Sequence, residues 1–155
     1  MRKLTIYTDG SANNLIPLEK RVGGFAAIIL EKGKKPKSIL GAELKTSSYR
    51  AELMAAMSGL FKAWEWAQKE KVKVTIISDS KVVVEAFTKE WILDWERYEF
   101  VGRNCGDEWR TLLEITREPN LIIKWEWVKG HAGVEWNEKA DKLAKQIRVE
   151  KEATL

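Results

Sequence analysis

A chain of 155 residues, 45% hydrophobic and 32% charged, has the length and balance of one globular domain and excludes a disordered chain. Its 27 Lys and Arg against 23 Asp and Glu leave a net charge of +4, which permits a polyanionic partner without demanding one. A single cysteine, Cys105, excludes an internal disulfide framework and a Cys-rich zinc site.

The first element reads Lys3-Leu4-Thr5-Ile6-Tyr7-Thr8-Asp9-Gly10-Ser11. Leu4, Ile6 and Thr8 alternate with Thr5, Tyr7 and Asp9, the period of a strand, and Gly-Ser after the carboxylate signals a turn. The strand is expected to end at Asp9 and deliver it to the rim of a sheet. A polar loop from Ala12 to Arg21 follows, then an apolar strand from Val22 to Glu31, a lysine-rich turn at 32–37 and a third strand from Ser38 to Leu44. Short connections make these three an antiparallel meander, and the lysine turn, at the far end from Asp9, reads as a solvated hairpin turn.

Thr46-Ser47-Ser48 offers helix caps, and Leu53, Ala56, Met57, Leu60, Trp64 and Ala67 recur at helical spacing behind it. Glu52 falls in the first turn, in a row with the small residues Ala55, Ala56 and Gly59 that would let the helix approach the sheet. Lys73 to Ile77 is a β-branched strand ending at Ser78-Asp79-Ser80; reached through a helix, it should run parallel to strand one. Lys81 to Thr88 reads as a helix despite Val82-Val83-Val84. Trp91 and Trp95 stand four apart on a short helix, Glu108 to Thr116 forms another, and Leu121 to Val128 is a strand with one wetter face. The loop Lys129-Gly130-His131-Ala132-Gly133 carries the single histidine. A last helix follows, with Trp136, Ala140, Leu143, Ala144 and Ile147 on its apolar face and Asn137 and Asp141 at its border. Residues 1–147 are thus expected to form a single domain, with 148–155 a frayed charged tail. Trp64, Trp66, Trp109, Trp125, Trp127 and Trp136 read as core or semi-buried packing and Cys105 as an inert thiol. The longest apolar run, Phe25–Leu30, cannot cross a bilayer. A soluble cytoplasmic monomer with no membrane attachment is the expectation.

Asp9, Glu52, Asp79 and Asp141 converge from four elements. Carboxylates crowded without a counter-ion repel, so a cation is expected between them. An all-oxygen donor set selects a hard divalent ion, Mg²⁺ or Mn²⁺, over zinc. Two such ions about 4 Å apart would suit in-line phosphoryl displacement.

The motifs Tyr7-Thr8-Asp9-Gly10-Ser11, Arg50-Ala51-Glu52-Leu53, Ser78-Asp79-Ser80, Trp91-Ile92 with Trp95, and the run from Trp125 through His131 to Asp141 resemble type 1 ribonuclease H, in order and over nearly the whole chain. The resemblance implies an α/β fold: a five-stranded mixed sheet, three strands in an antiparallel meander and two parallel, with helices on both faces. It implies a Mg²⁺-dependent endonuclease that hydrolyses the RNA strand of RNA–DNA hybrids with two metal ions, leaving 5′-phosphate and 3′-hydroxyl ends. Asp9, Glu52, Asp79 and Asp141 would be the metal-binding carboxylates and His131 the mobile histidine that assists proton transfer or product release. Ser11, Ser48, Tyr49, Ser80, Trp91, Trp95, Asn104 and Asn137 are the expected substrate contacts.

Three places depart from the family pattern. Asn13 to Arg21 replaces a glycine- and proline-rich loop, Ser48-Tyr49 replaces a pair of asparagines, and the basic protrusion is cut to Glu96–Arg103, whose two acids and two bases cancel. The first two bear on grip of the RNA strand, not on the carboxylates. Two rival readings are an inactive hybrid-binding module and a DNA-strand transferase or junction nuclease of the same fold.

Overall fold

A computed structural model describes residues 1–155. Its elements are β1 (Arg2–Ala12), a short 3-10 turn (Leu18–Lys20), β2 (Val22–Leu30), β3 (Lys37–Leu44), α1 (Ser48–Ala67), β4 (Val72–Ser78), α2 (Lys81–Thr88), α3 (Trp91–Arg97), α4 (Gly106–Thr116), β5 (Leu121–Trp127) and α5 (Glu135–Glu152). The strands form one sheet in the order β3-β2-β1-β4-β5. Pairing is antiparallel for β1–β2 and β2–β3, and parallel for β1–β4 and β4–β5. The expected mixed five-stranded sheet is what forms.

Burial follows the strand period. Leu4, Ile6 and Thr8 of β1, Val72, Val74 and Ile76 of β4, and Ala27 and Ile29 of β2 are all buried, on the face that α1 covers with Leu53, Ala56, Leu60, Ala63 and Ala67. α1 starts where the sequence predicts: the Ser47 hydroxyl accepts the Arg50 amide at 3.1 Å, satisfying one of the helix's orphan donors. The three valines of α2 are helical because Val83 and Val84 bury against the core, and packing outweighs their weak propensity. Trp109 of α4 is fully buried, yet its indole N–H is satisfied by the Tyr49 hydroxyl at 2.7 Å. Around it Trp95 packs edge-on at 5.0 Å, and Phe87 in turn stacks on Trp125 at 4.4 Å.

Three features differ from expectation. β1 does not stop at Asp9 but runs on to Ala12, because residues 10–12 keep their antiparallel pairing with β2. Its parallel partner stops earlier, at Thr8 opposite Ser78. Asp9 is therefore the first residue of β1 left without a β4 neighbour, in the notch where the sheet loses a strand. Ligand sites open at such strand ends. The second difference is α5, which continues past 147 to Glu152: Arg148 lies against β2 beside Gly24 and pairs with Glu152 at 3.3 Å, so the charged tail is held as helix. The third is Trp127, expected to be core or semi-buried but 45% exposed, because it is the last residue of the edge strand. The remaining five tryptophans of that set are buried or half-buried, as expected.

Candidate active site

The notch at Asp9 is assembled by close backbone approach. A Cβ on Gly10 would stand 2.4 Å from both the Ala51 carbonyl carbon and the Glu52 nitrogen, so only glycine lets the first turn of α1 press onto β1. That contact makes the Gly10 N–H a ligand for Glu52, whose Oε1 accepts it at 2.7 Å; Asp9 Oδ1 accepts the same N–H at 3.0 Å. One amide thus fixes two carboxylates from elements far apart in sequence. Asp79 comes from the turn after β4. A Cβ on Gly130 would lie 3.0 Å from Asp79 Oδ2, so the histidine loop passes directly over that carboxylate. The Trp127 indole N–H donates to the Asp79 carbonyl at 3.0 Å, and Val128 N–H donates to Ser78 carbonyl at 3.0 Å, tying this turn to the edge strand.

One oxygen from each of Asp9, Glu52 and Asp79 falls within 4.8 Å of the others. Asp141, on α5, stands beside the group, near enough for its charge to act on both Glu52 and Asp79. Lys145 reaches this group at its edge, pairing with Asp141 Oδ2 at 3.1 Å. Asp9 Oδ2 and Glu52 Oε2 are buried with no hydrogen-bond partner. Buried acceptors left empty are costly, and an all-oxygen set of this kind fits a hard divalent cation.

The electrostatics follow. Burial first, then the charges of Glu52 and Asp79, push the Asp9 carboxyl far above its ordinary range. Burial also raises Glu52, to about 7, against the lowering effects of Asp9 and the Gly10 amide. Asp79 is raised too, chiefly by burial, while Asp9, Asn137 and His131 oppose the rise. Asn137 is buried on α5, its side-chain amide nitrogen without a partner in hydrogen-bond range and near Asp79. His131 sits exposed in the loop above, at a positive φ of 57°.

The remaining expected contacts divide. Ser11 continues β1 beside Asp9, and Ser48 Oγ donates to the Ala12 carbonyl at 3.3 Å, so both border the notch. The Ser80 amide donates to Ser78 Oγ at 3.0 Å, next to Asp79. Tyr49 has its hydroxyl engaged by Trp109. Trp91, Trp95 and Asn104 lie on the α3–α4 segment and make no hydrogen bond to the carboxylates. Reading the sequence missed three positioning residues: Gly10, Gly130 and Trp127. All three lie inside the quoted motifs, but what they do depends on which backbones meet, and spacing along one chain does not carry that.

The family profile for RNase H matches residues 1–148. Among curated relatives, a ribonuclease H of Thermoanaerobacter sp. (strain X514) is 38% identical over 144 residues, 90% of this chain and 85% of the relative. One from Erythrobacter litoralis (strain HTCC2594) is 36% identical over 152 residues, 94% and 96% of the two chains. In fold the chain is similar to LC9-RNase H1, a type 1 RNase H with the type 2 active-site motif, at a TM-score of 0.79, 20% identity and coverage of 96% and 72%. It is also similar to LC11-RNase H1 in complex with an RNA/DNA hybrid, at 0.68, 17% identity and coverage of 96% and 98%.

Proposed function

The chain belongs to the ribonuclease H family, and from that premise we propose that it hydrolyses the RNA strand of RNA–DNA hybrids at the notch formed by Asp9, Glu52, Asp79 and Asp141. The observation that carries this reading is the set of buried carboxylate oxygens with no donor to satisfy them, gathered where β1 outruns β4. Two divalent ions, Mg²⁺ with Mn²⁺ as a substitute, held by these four residues would supply the charge that activates a water for in-line attack and steadies the leaving oxygen, giving 5′-phosphate and 3′-hydroxyl ends.

The chain's own residues do the rest. Gly10 holds Asp9 and Glu52 in one orientation through a shared N–H, so neither has to reorganise when substrate arrives. Asn137 keeps an amide donor close to Asp79. His131, on the loop that crosses Asp79, moves a proton at the leaving oxygen and withdraws with product. Ser11, Ser48 and Ser80 border the notch and face the hybrid, while Trp91, Trp95 and Asn104 contact the other strand farther along. Residues 1–147 act as a single catalytic domain, and the chain works as a monomer in the cytoplasm. No helix is long and apolar enough to cross a membrane.

The test is to offer the purified chain, with Mg²⁺, a hybrid, duplex RNA and duplex DNA, and to map the ends produced. Cleavage of the hybrid's RNA strand alone, with 5′-phosphate ends, is the expected result. Hybrid binding without cleavage would point instead to a non-catalytic hybrid-binding module.

A further inference from the structure

The largest cleft on the molecule is not the carboxylate notch. It lies toward the opposite end of β1, holds about 610 Å³, and is lined by Lys3, Thr5, Lys32, Lys34, Lys73, Thr75 and Trp136 among others. Its floor follows from the register: Lys3 is paired with Lys73, and Thr5 with Thr75, across the parallel β1–β4 ladder. Neighbouring strands are about 4.8 Å apart, so two ammonium groups start side by side with two hydroxyls one pleat behind them. Like charges directly opposed destabilise a sheet. Across the cleft, Lys32 and Lys34 come down from the β2–β3 turn, and the Trp136 indole supplies an apolar wall. The one carboxylate there, Glu31, is already engaged by Arg2 at 3.1 Å and Lys34 at 3.6 Å. Lys3, Lys32 and Lys73 form no ion pair of their own.

We propose that this cleft is a binding site for a ligand carrying adjacent phosphates, a free polyphosphate or the triphosphate of a nucleotide, with the ammonium groups of Lys3, Lys32 and Lys73 and the hydroxyls of Thr5 and Thr75 as its donors. The volume falls in the range of small-ligand sites, and three converging charges with two neutral donors suit a polyanion better than a single phosphate. The lysine turn is thus the lid of a site as well as a solvated turn.

The experiment uses the full chain in EDTA, so that the carboxylate notch repels rather than recruits a polyanion. Sodium tripolyphosphate is titrated calorimetrically and by amide and indole NMR, with ATP and a single-stranded deoxyoligonucleotide as separate arms. Saturable one-to-one binding of tripolyphosphate is expected, with shifts centred on the Thr5 and Thr75 amides and the Trp136 indole N–H. Lys3→Gln with Lys73→Gln should weaken it by about tenfold or more and leave hybrid cleavage at its parental kcat. ATP binding tighter than tripolyphosphate, with the advantage lost in Trp136→Leu, would identify a nucleotide as the source; equal binding would identify polyphosphate. Absence of saturable tripolyphosphate binding, binding unmoved by the lysine changes, shifts centred elsewhere, or binding of the oligonucleotide alone would overturn the proposal.

Discussion

The Asp9 carboxyl is buried among acids, and that arrangement opposes folding unless something positive joins it. Replacing Asp9 or Asp79 with asparagine removes a ligand oxygen's charge but keeps the shape. Hydrolysis should fall to background in each variant, while stability in EDTA at pH 8 stays level or rises, because repulsion is relieved. Denaturant midpoints and hybrid cleavage, measured on the same preparations, check both halves. His131 differs in kind: it is exposed and on a loop, and its proposed part is proton transfer, not charge. His131→Ala should slow turnover by roughly 10- to 1,000-fold, the loss of one acid–base group, and leave the fold untouched. A variant matching the parent from pH 6 to 9 would remove the residue from the reaction. At this scale the meeting of Asp9, Glu52 and Asp79 was legible, since parallel strands and the helix that follows the meander bring their ends to one edge. Trp127 was misplaced, because alternation predicts which face a side chain takes but not that the strand is an edge.

Among elements, the decisive contact is between the first turn of α1 and β1. Gly10→Ala drives a methyl into the Ala51–Glu52 backbone, which no side-chain rotation can relieve, so α1 must shift outward. A loss of about 1–3 kcal/mol of stability is expected, with a fall in kcat larger than the change in KM, since Glu52 is displaced from Asp9. Thermal unfolding and steady-state kinetics would read this out. The segment between α3 and α4 offers a second case. It is short and pinned: Phe100 is buried, Arg110 donates to the Glu99 carbonyl at 3.2 Å, and Arg103 lies over Trp95 at 3.9 Å. Glu96 is held by Arg117 through two bonds of 2.6 Å, which also lowers its carboxyl. Glu99 is the acid left to oppose a phosphate backbone there. Glu99→Lys should lower KM for hybrid at low salt and steepen its salt dependence without changing kcat. An unchanged KM would mean the segment stands clear of the hybrid. Element types and order were legible from periodicity. The run of left-handed residues at Glu99, Phe100, Gly102 and Cys105 was not, because it is imposed by the anchors on either side.

For the molecule as a whole, the raised carboxyls set a pH dependence. Asp9, Glu52 and Asp79 are all raised, Glu52 to about 7, so the folded chain holds protons that the unfolded chain releases at ordinary carboxyl values of 3.8 and 4.5. Stability therefore falls as pH rises from about 4 through 7 and beyond. Saturating Mg²⁺ should flatten that slope by replacing protons as the counter-charge, and Asp9→Asn should flatten it in EDTA. Urea midpoints from pH 5 to 9, with EDTA or Mg²⁺, give the comparison; a slope shared by parent and variant would mean the carboxylates are not its source. The antiparallel meander and the parallel return to β4 were legible because short and long connections leave few topologies. The notch itself was not: it depends on β1 outrunning β4, a difference in strand length that pairing partners decide.

The four carboxylates are proposed to act as one cation-dependent centre, and the most direct measurement is single-turnover cleavage of a defined hybrid across a Mg²⁺ titration, for the parent and for Asp79→Asn. The parent should show no cleavage in EDTA and a saturable rise with Mg²⁺, while Asp79→Asn remains at background at every concentration. Cleavage by the parent in EDTA, or near-parental cleavage by Asp79→Asn at saturating Mg²⁺, would contradict that proposal.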